Sequence, residues 1–106
     1  MIAHIVLFEP KTGTTVDDRD NFIELMRLTF NEIPSVRRSF IGLRKLIGVG
    51  YESVMGDKTY SYASVVEFDD VQGLEAYLNH QLHVKVGQLF WQYCDRTVIV
   101  DVDCFW

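Results

Sequence analysis

The chain has 106 residues, the length of one ordinary domain, and we expect a single domain over residues 1–106. Hydrophobic residues make up 48% of it, with only two prolines, so the composition favours a packed core over disorder. Fifteen acidic residues outnumber ten basic ones, and the resulting formal charge of −5 argues against nucleic acid as a partner.

The sequence shows no sign of membrane association or secretion. No apolar run approaches the ~20 residues that span a bilayer, and the N-terminus lacks a signal-peptide pattern. Cys94 and Cys104 fit neither a CxxC pair nor a zinc-type spacing, so we expect two thiols in a reducing compartment. We therefore expect a cytoplasmic protein with no membrane partner.

A strand and a helix are predicted in the first third of the chain. Residues 2–8 alternate with period two, as in a strand that is covered on both faces. Thr15, followed three residues later by Asp18, predicts a capped helix start, and Pro34 predicts its end. The apolar positions at helical spacing are Phe22, Met26, Phe30 and Ile33.

Two further strands are predicted in the middle of the chain. Two-residue alternation covers residues 36–47 and, after a glycine-punctuated polar connection through Lys58, residues 60–68. In the second of these strands one face should carry Tyr60, Tyr62, Ser64, Val66 and Phe68. Aromatic side chains therefore line one surface.

A second helical region and a fourth strand complete the pattern. Asp69 and Asp70 can cap a helix that begins at Val71, and we expect a break near residues 81–82 that separates two helical pieces. Alternation over residues 96–103 then predicts the last strand. The apolar helical positions are Val71, Leu74, Leu78, Val86, Leu89, Phe90 and Tyr93.

The order of elements predicts a ferredoxin-like βαββαβ α+β fold, with a four-stranded antiparallel sheet and two helices on one face. The other face would be uncovered. We expect it to carry His4, Val6, Phe8, Phe40, Tyr62, Val66, Phe68 and Ile99. So large an apolar patch is seldom left in water, and we expect a homodimer in which two sheets stack into a dimeric α/β barrel.

Four short motifs connect the chain to a known family. They are His4-Ile-Val-Leu-Phe8, Ile33-Pro34, Val65-Val-Glu-Phe68 and Glu75-Ala-Tyr-Leu-Asn-His80-x-x-His83. From Met1 to about Asp103 the chain resembles the stress-responsive dimeric α/β-barrel (Dabb) domain family, including its olivetolic acid cyclase-like proteins. Members usually have His-Pro-x-His after the second helix, whereas this chain has Gln81 in place of the proline.

The resemblance implies a site. Cyclase-like members close a polyketide chain by an aldol condensation, with a Tyr–His pair and no metal or organic cofactor. By motif position the catalytic pair is Tyr77 and His83 here, and His4 is the histidine of the first strand. The ligand-binding residues that we expect are His4, Val6, Phe8, Phe22, Met26, Tyr62, Ser64, Val66, Cys94 and Ile99.

The pocket wall departs from that of the cyclases, which is more apolar or carries an indole or imidazole. At such positions this chain has Tyr62, Ser64, Cys94 and Thr97. We therefore expect a different ligand.

The residue types of the pair suit acid/base chemistry. A buried, neutral imidazole can accept a proton at physiological pH, which suits His83 as a general base. A phenol such as Tyr77 can donate to a carbonyl oxygen and stabilise the enolate. Six residues on one helix are ~240° apart, so the two converge only if the helix breaks between them.

Structural roles for the same residues remain open at this point. Tyr77 can pack between helix and sheet with its hydroxyl satisfied, and His83 can cap a helix C-terminus. His80 is interpreted as a structural turn residue. His4 requires a hydrogen-bond partner, which Tyr62 or Asp101 can supply without catalysis.

A metal site formed by the three histidines is disfavoured. His80 and His83 have only i, i+3 spacing, and no neighbouring carboxylate is placed to orient them. We therefore expect neither metal nor cofactor.

The functional hypothesis is a barrel that binds a small hydrophobic carbonyl or aromatic metabolite, with cofactor-free acid/base catalysis of the polyketide cyclase type. One alternative is a non-catalytic stress-response or ligand-carrier protein. A second is a cofactor-independent monooxygenase-like barrel, which matches in fold alone.

Overall fold

The computed structural model describes residues 1–48, 50 and 60–105. In these residues the chain runs through β1 (Ile2–Pro10), α1 (Val16–Glu32), β2 (Arg38–Leu43), β3 (Tyr62–Phe68), α2 (Val71–Asn79), α3 (Gln81–Tyr93) and β4 (Cys94–Asp103). The predicted order is confirmed, with the second helical region divided in two. Most of the predicted connection through Lys58, and Trp106, lie outside the described residues.

The strands form one sheet in the order β2-β3-β1-β4, and every neighbouring pair is antiparallel. β1 is central and pairs with β3 on one side and β4 on the other. Right-handed crossover connections place the helices of successive β-α-β units on the same face of a sheet. The ferredoxin-like α+β prediction is confirmed.

Local signals account for the ends of the first helix. The Thr15 hydroxyl accepts a hydrogen bond from the Asp18 backbone N–H at 3.0 Å, which is the predicted cap. α1 ends before Ile33 because Pro34 excludes the helical conformation for the residue that precedes it. The predicted inward positions Phe22, Met26, Phe30 and Ile33 are all buried.

The bounds of two strands differ from the prediction. β2 is shorter than residues 36–47 because it is an edge strand that pairs only with β3, whose own pairing begins at Tyr62. β4 begins earlier than residue 96, since Cys94 already pairs with Pro10 across a register shift. In α2, Val71 is 49% exposed, so its predicted inward position is wrong.

The helices cover the face of the sheet that was predicted to be open. His4, Val6, Phe8, Tyr62, Val66 and Phe68 are all buried, and the first three share that face with Ile99 of β4. Of the predicted open set, Phe40 alone lies on the uncovered face. The error has a physical reason, because both sets of alternating residues in β1 are apolar. Alternation defines two faces without showing which one the helices cover.

The uncovered face is nevertheless apolar. One row of directly paired residues crosses all four strands: Phe40, Val65, Ile5 and Val100. Phe40 is 56% exposed and Val100 is 47% exposed. A neighbouring row pairs Leu7 with Val98, and another pairs Ala3 with Val102. An exposed apolar face is still expected to be covered by a partner. That expectation now applies to this face, and its residues differ from the predicted set.

An aromatic cluster fills one part of the helix–sheet interface. The Phe8 ring stacks on Tyr62 at 5.2 Å and contacts Phe22 and Phe90 edge-on at 5.8 and 5.2 Å.

Both cysteines are free thiols. None of the helices in the described part of the chain is long and apolar enough to cross a bilayer.

Candidate functional site

The break between α2 and α3 is formed by a single residue. α2 ends at Asn79 and α3 begins at Gln81, with His80 extended between them at φ −70° and ψ 142°. The His80 Nδ1 atom accepts a hydrogen bond from the Leu82 backbone N–H at 3.1 Å and so caps α3. His80 therefore has the structural turn role, and Gln81 occupies the first helical position, where proline is also favoured.

This break brings Tyr77 and His83 together. Their ring centroids are 4.7 Å apart, although six residues separate them in the sequence. On a continuous helix they would lie ~240° apart around the axis. The expected convergence therefore occurs, and it depends on the extended conformation of His80.

His4 joins this pair from the sheet. Its ring lies 5.8 Å from that of Tyr77 and 6.4 Å from that of His83. Its Nδ1 atom is 2.5 Å from Oδ1 of Asp101, the residue directly opposite on β4. Of the two partners considered for His4, Asp101 is the one that the structure provides. We call Tyr77, His83 and His4 the histidine–tyrosine cluster.

The cluster borders a cavity of about 380 Å³ between the sheet and the helices. This volume lies within the range of small-molecule sites. Of the residues predicted to bind ligand or catalyse, the cavity wall contains Tyr77, His83, His4, Val6, Met26, Ser64, Cys94 and Ile99. Thr97, noted as a departure from the cyclases, also lines it.

Four predicted ligand-binding residues lie outside the wall of this cavity. They are Phe8, Phe22, Tyr62 and Val66. Each is buried in the hydrophobic core, where the Phe8 ring packs against those of Phe22 and Tyr62. Tyr62 borders a second cavity of about 310 Å³, beside Glu9 and Lys11.

Sequence reasoning missed several wall residues. They are Phe30, Val86, Gly87, Phe90, Trp91 and Asp95. Val86, Gly87, Phe90 and Trp91 follow His83 at spacings of three and four along α3, so the helical stripe through His83 was a usable signal. Trp91 is 86% exposed and so marks the solvent side of the cavity.

His83 is held as a neutral base. Its Nδ1 atom lies 3.2 Å from the carbonyl oxygen of Leu78, and a carbonyl can only accept, so Nδ1 carries the hydrogen and Nε2 the lone pair. Burial lowers the pKa of His83, the nearby His4 lowers it further, and the Leu78 bond partly opposes both. The predicted helix-capping contact thus exists, through a neutral ring.

Tyr77 is held as a proton donor. Burial raises the pKa of its phenol far above the ordinary value of 10, so the hydroxyl keeps its hydrogen at physiological pH. The ring packs against Phe68 and Phe30, but the hydroxyl forms no hydrogen bond with any described residue. The ring therefore packs between helix and sheet, and its hydroxyl is available to a ligand.

Other reactive groups in the wall are less suited to chemistry. Burial raises the pKa of the Cys94 thiol to about 11, so it remains a thiol rather than a nucleophilic thiolate. Within residues 1–48, 50 and 60–105, no three His, Cys, Asp or Glu side chains are grouped as a metal site. The arrangement pairs a base with a hydrogen-bond donor in a largely apolar cavity.

The model of the stress-responsive A/B barrel domain matches residues 2–104. The chain belongs to the Dabb family. No curated protein matches the chain.

Solved structures of similar fold come from plants and bacteria. An Arabidopsis thaliana protein superposes with a TM-score of 0.82 at 17% identity, over 100% of this chain and 97% of that one. A dimeric ferredoxin-like protein of unknown function from Thermobifida fusca has a TM-score of 0.78 at 22% identity, over 97% and 90%. A hydroxynitrile lyase from Passiflora edulis has a TM-score of 0.77 at 16% identity, over 95% and 90%. At these identities the likeness shows a shared fold.

Proposed function

We propose that this Dabb protein binds a small aromatic or acyl carbonyl compound in the 380 Å³ cavity and abstracts a proton from the carbon next to the carbonyl group. His83 is the general base and Tyr77 the hydrogen-bond donor, without a metal or organic cofactor. The observation that carries the proposal is the 4.7 Å pairing of a neutral imidazole with a protonated phenol in the cavity wall.

Tyr77 holds the carbonyl oxygen, while His83 first takes a proton and later returns it. The ligand carbonyl oxygen accepts a hydrogen bond from the Tyr77 hydroxyl, and His83 Nε2 takes the α-proton, so the C–H electron pair moves into an enolate. The enolate carbon then attacks a second carbonyl carbon and forms a C–C bond. The resulting alkoxide recovers a proton from the His83 imidazolium, which restores the neutral base.

The wall favours a largely apolar ligand. Val6, Met26 and Phe30 line the same cavity, and such apolar surfaces bury rings or short acyl chains while the few polar groups fix orientation. The Passiflora edulis neighbour is a hydroxynitrile lyase, and its reaction also forms or breaks a C–C bond at a carbonyl carbon. That neighbour supports carbonyl compounds as the class to test first.

Proton abstraction can be tested directly by exchange of α-hydrogens for deuterium. In D₂O, we expect the wild type to accelerate exchange of the α-hydrogens of acetophenone. Proton NMR measures this exchange as loss of the α-hydrogen signal. His83→Ala should lower the exchange rate roughly 100-fold or more, in line with the loss of a general base. Tyr77→Phe should also lower it, whereas Tyr93→Phe, the same change outside the cavity wall, should not.

The same experiment separates an enzyme from a carrier. Binding of acetophenone without any acceleration of exchange would reject catalysis and favour the ligand-carrier alternative. Equal exchange rates in the wild type and His83→Ala would reject His83 as the base.

We also propose that the chain forms a homodimer through its uncovered sheet face. The row Phe40, Val65, Ile5 and Val100 presents aliphatic and aromatic side chains across all four strands. An exposed apolar face of this kind marks an interaction site. In a two-fold symmetric dimer, the same face of two copies packs together and each covers the other. The dimeric neighbour from Thermobifida fusca supports this proposal.

A further inference from the structure

Ser64 in the cavity wall carries a buried hydroxyl without a partner among the described residues. Ser64 on β3 is 1% exposed, and its Oγ atom forms no hydrogen bond with any described residue. It nevertheless borders the cavity. Buried hydroxyl groups nearly always have a partner, and exceptions in native structures call for a specific explanation. A ligand group in the cavity provides one.

The position of Ser64 separates it from the histidine–tyrosine cluster. It belongs to the row Ile41, Ser64, Val6 and Ile99, whose other members are apolar. His4 belongs to the next row, opposite Val66. Successive rows on one face of a sheet are ~7 Å apart along the strands. Ser64 and His4 therefore line the cavity from neighbouring rows of the same sheet face.

We propose that Ser64 Oγ is a second polar anchor of the cavity, and that the ligand is a compact aromatic carbonyl compound with a separate hydroxyl or carbonyl oxygen. The carbonyl end of this assignment rests on the proposed function, with Tyr77 as its donor. The Ser64 end rests on the unpartnered hydroxyl alone. Because serine both donates and accepts, it can bind either kind of oxygen.

Two probes that differ in one group test the second anchor. 4-Hydroxyacetophenone carries a carbonyl and a distant hydroxyl, and 4-methylacetophenone replaces that hydroxyl with a methyl group of similar size. We expect the wild type to prefer the hydroxyl compound in titrations followed by two-dimensional NMR. Ser64→Ala should weaken binding of 4-hydroxyacetophenone roughly 3- to 10-fold and leave 4-methylacetophenone unchanged.

The chain provides a matched control. Ser35 also has a buried Oγ atom without a partner among the described residues, but it does not border the cavity. Ser35→Ala should leave the affinity for both probes unchanged. Ser64→Cys, which keeps a side chain of similar shape with a weaker donor, should retain the fold and lose the preference for the hydroxyl compound.

The outcomes separate this inference from the proposed function. Equal loss of affinity for both probes in Ser64→Ala, or no binding of 4-hydroxyacetophenone to the wild type at millimolar concentration, overturns the second anchor. A hydroxyl preference that depends on Ser64 supports it even if Tyr77→Phe and His83→Ala bind both probes like the wild type. Binding of both probes by Tyr77→Phe and His83→Ala with wild-type affinity would instead reject the proposed carbonyl site.

Discussion

His4 Nδ1 lies 2.5 Å from Oδ1 of Asp101, and the two residues face each other directly across the β1–β4 pair. The His4 side chain is 5% exposed, whereas that of Asp101 is 44% exposed. The carboxylate thus remains in water while it holds a buried imidazole. Because a carboxylate accepts, the Nδ1–H group of His4 is the donor in this bond.

The His4–Asp101 bond should contribute to stability. We expect Asp101→Ala to lower the free energy of unfolding by about 1 to 2 kcal/mol, since it removes a charged partner from a buried ring. Asp103→Ala, two residues along the same strand and on the same face, should change it by less than about 0.5 kcal/mol. Urea unfolding of both variants measures the difference, and equal effects would contradict a specific role for Asp101.

The lowered pKa of His83 predicts a dependence of stability on pH. As pH falls below the ordinary value of ~6.5, the unfolded chain binds a proton at this position before the folded protein does. The free energy of unfolding should therefore fall from pH 7.5 to pH 5.5, by less in His83→Gln than in the wild type. Identical pH slopes in urea unfolding would show that burial of His83 has no such effect.

The break at His80 predicts that the proline common in the family is tolerated here. His80 is already in the extended conformation that a following proline requires, and Gln81 is at the first helical position. We expect Gln81→Pro to raise the free energy of unfolding by about 0.4 to 1 kcal/mol by restricting the unfolded chain.

Gln88→Pro is the control for this substitution. Gln88 is an exposed glutamine in the interior of α3, where proline removes a helical hydrogen bond and clashes with the preceding turn. Gln88→Pro should lower the free energy of unfolding by about 3 kcal/mol or more. Thermal unfolding compares the two variants, and a destabilised Gln81→Pro would mean that the turn differs from the one described.

The proposed dimer predicts a difference between two equally exposed valines. Val100 on the uncovered sheet face is 47% exposed, and Val84 on α3 is 50% exposed. A lysine at position 100 would place a charge in an apolar interface, which is costly to bury. Val100→Lys should therefore be monomeric at micromolar concentration in light scattering, and Val84→Lys should remain dimeric. A monomeric wild type would refute the proposal.

Local patterns in the sequence were sufficient for most secondary structure. The Thr15 cap, the stop at Pro34 and the stripe through Phe22 and Met26 depend on residues a few positions apart, and the structure confirms them. The length of β2 was less predictable, because an edge strand continues only as far as its neighbour pairs with it.

The candidate site was accessible to sequence reasoning in part. Resemblance to the family indicated Tyr77, His83 and His4, and the helical angle between the first two required a break. Assignment of Asp101 rather than Tyr62 as the partner of His4 required the register of β4 against β1. Register depends on contacts between residues far apart in the chain.

By itself, the sequence determined the order of elements, the family and the chemical groups of the cluster, because caps, periodicity and motifs act over short distances. The tertiary structure alone decided which face of the sheet the helices cover, since both alternating sets of β1 are apolar. It also decided that Phe8 packs in the core while Ser64 borders the cavity without a partner among the described residues. Both outcomes depend on how helices and sheet fill their shared volume.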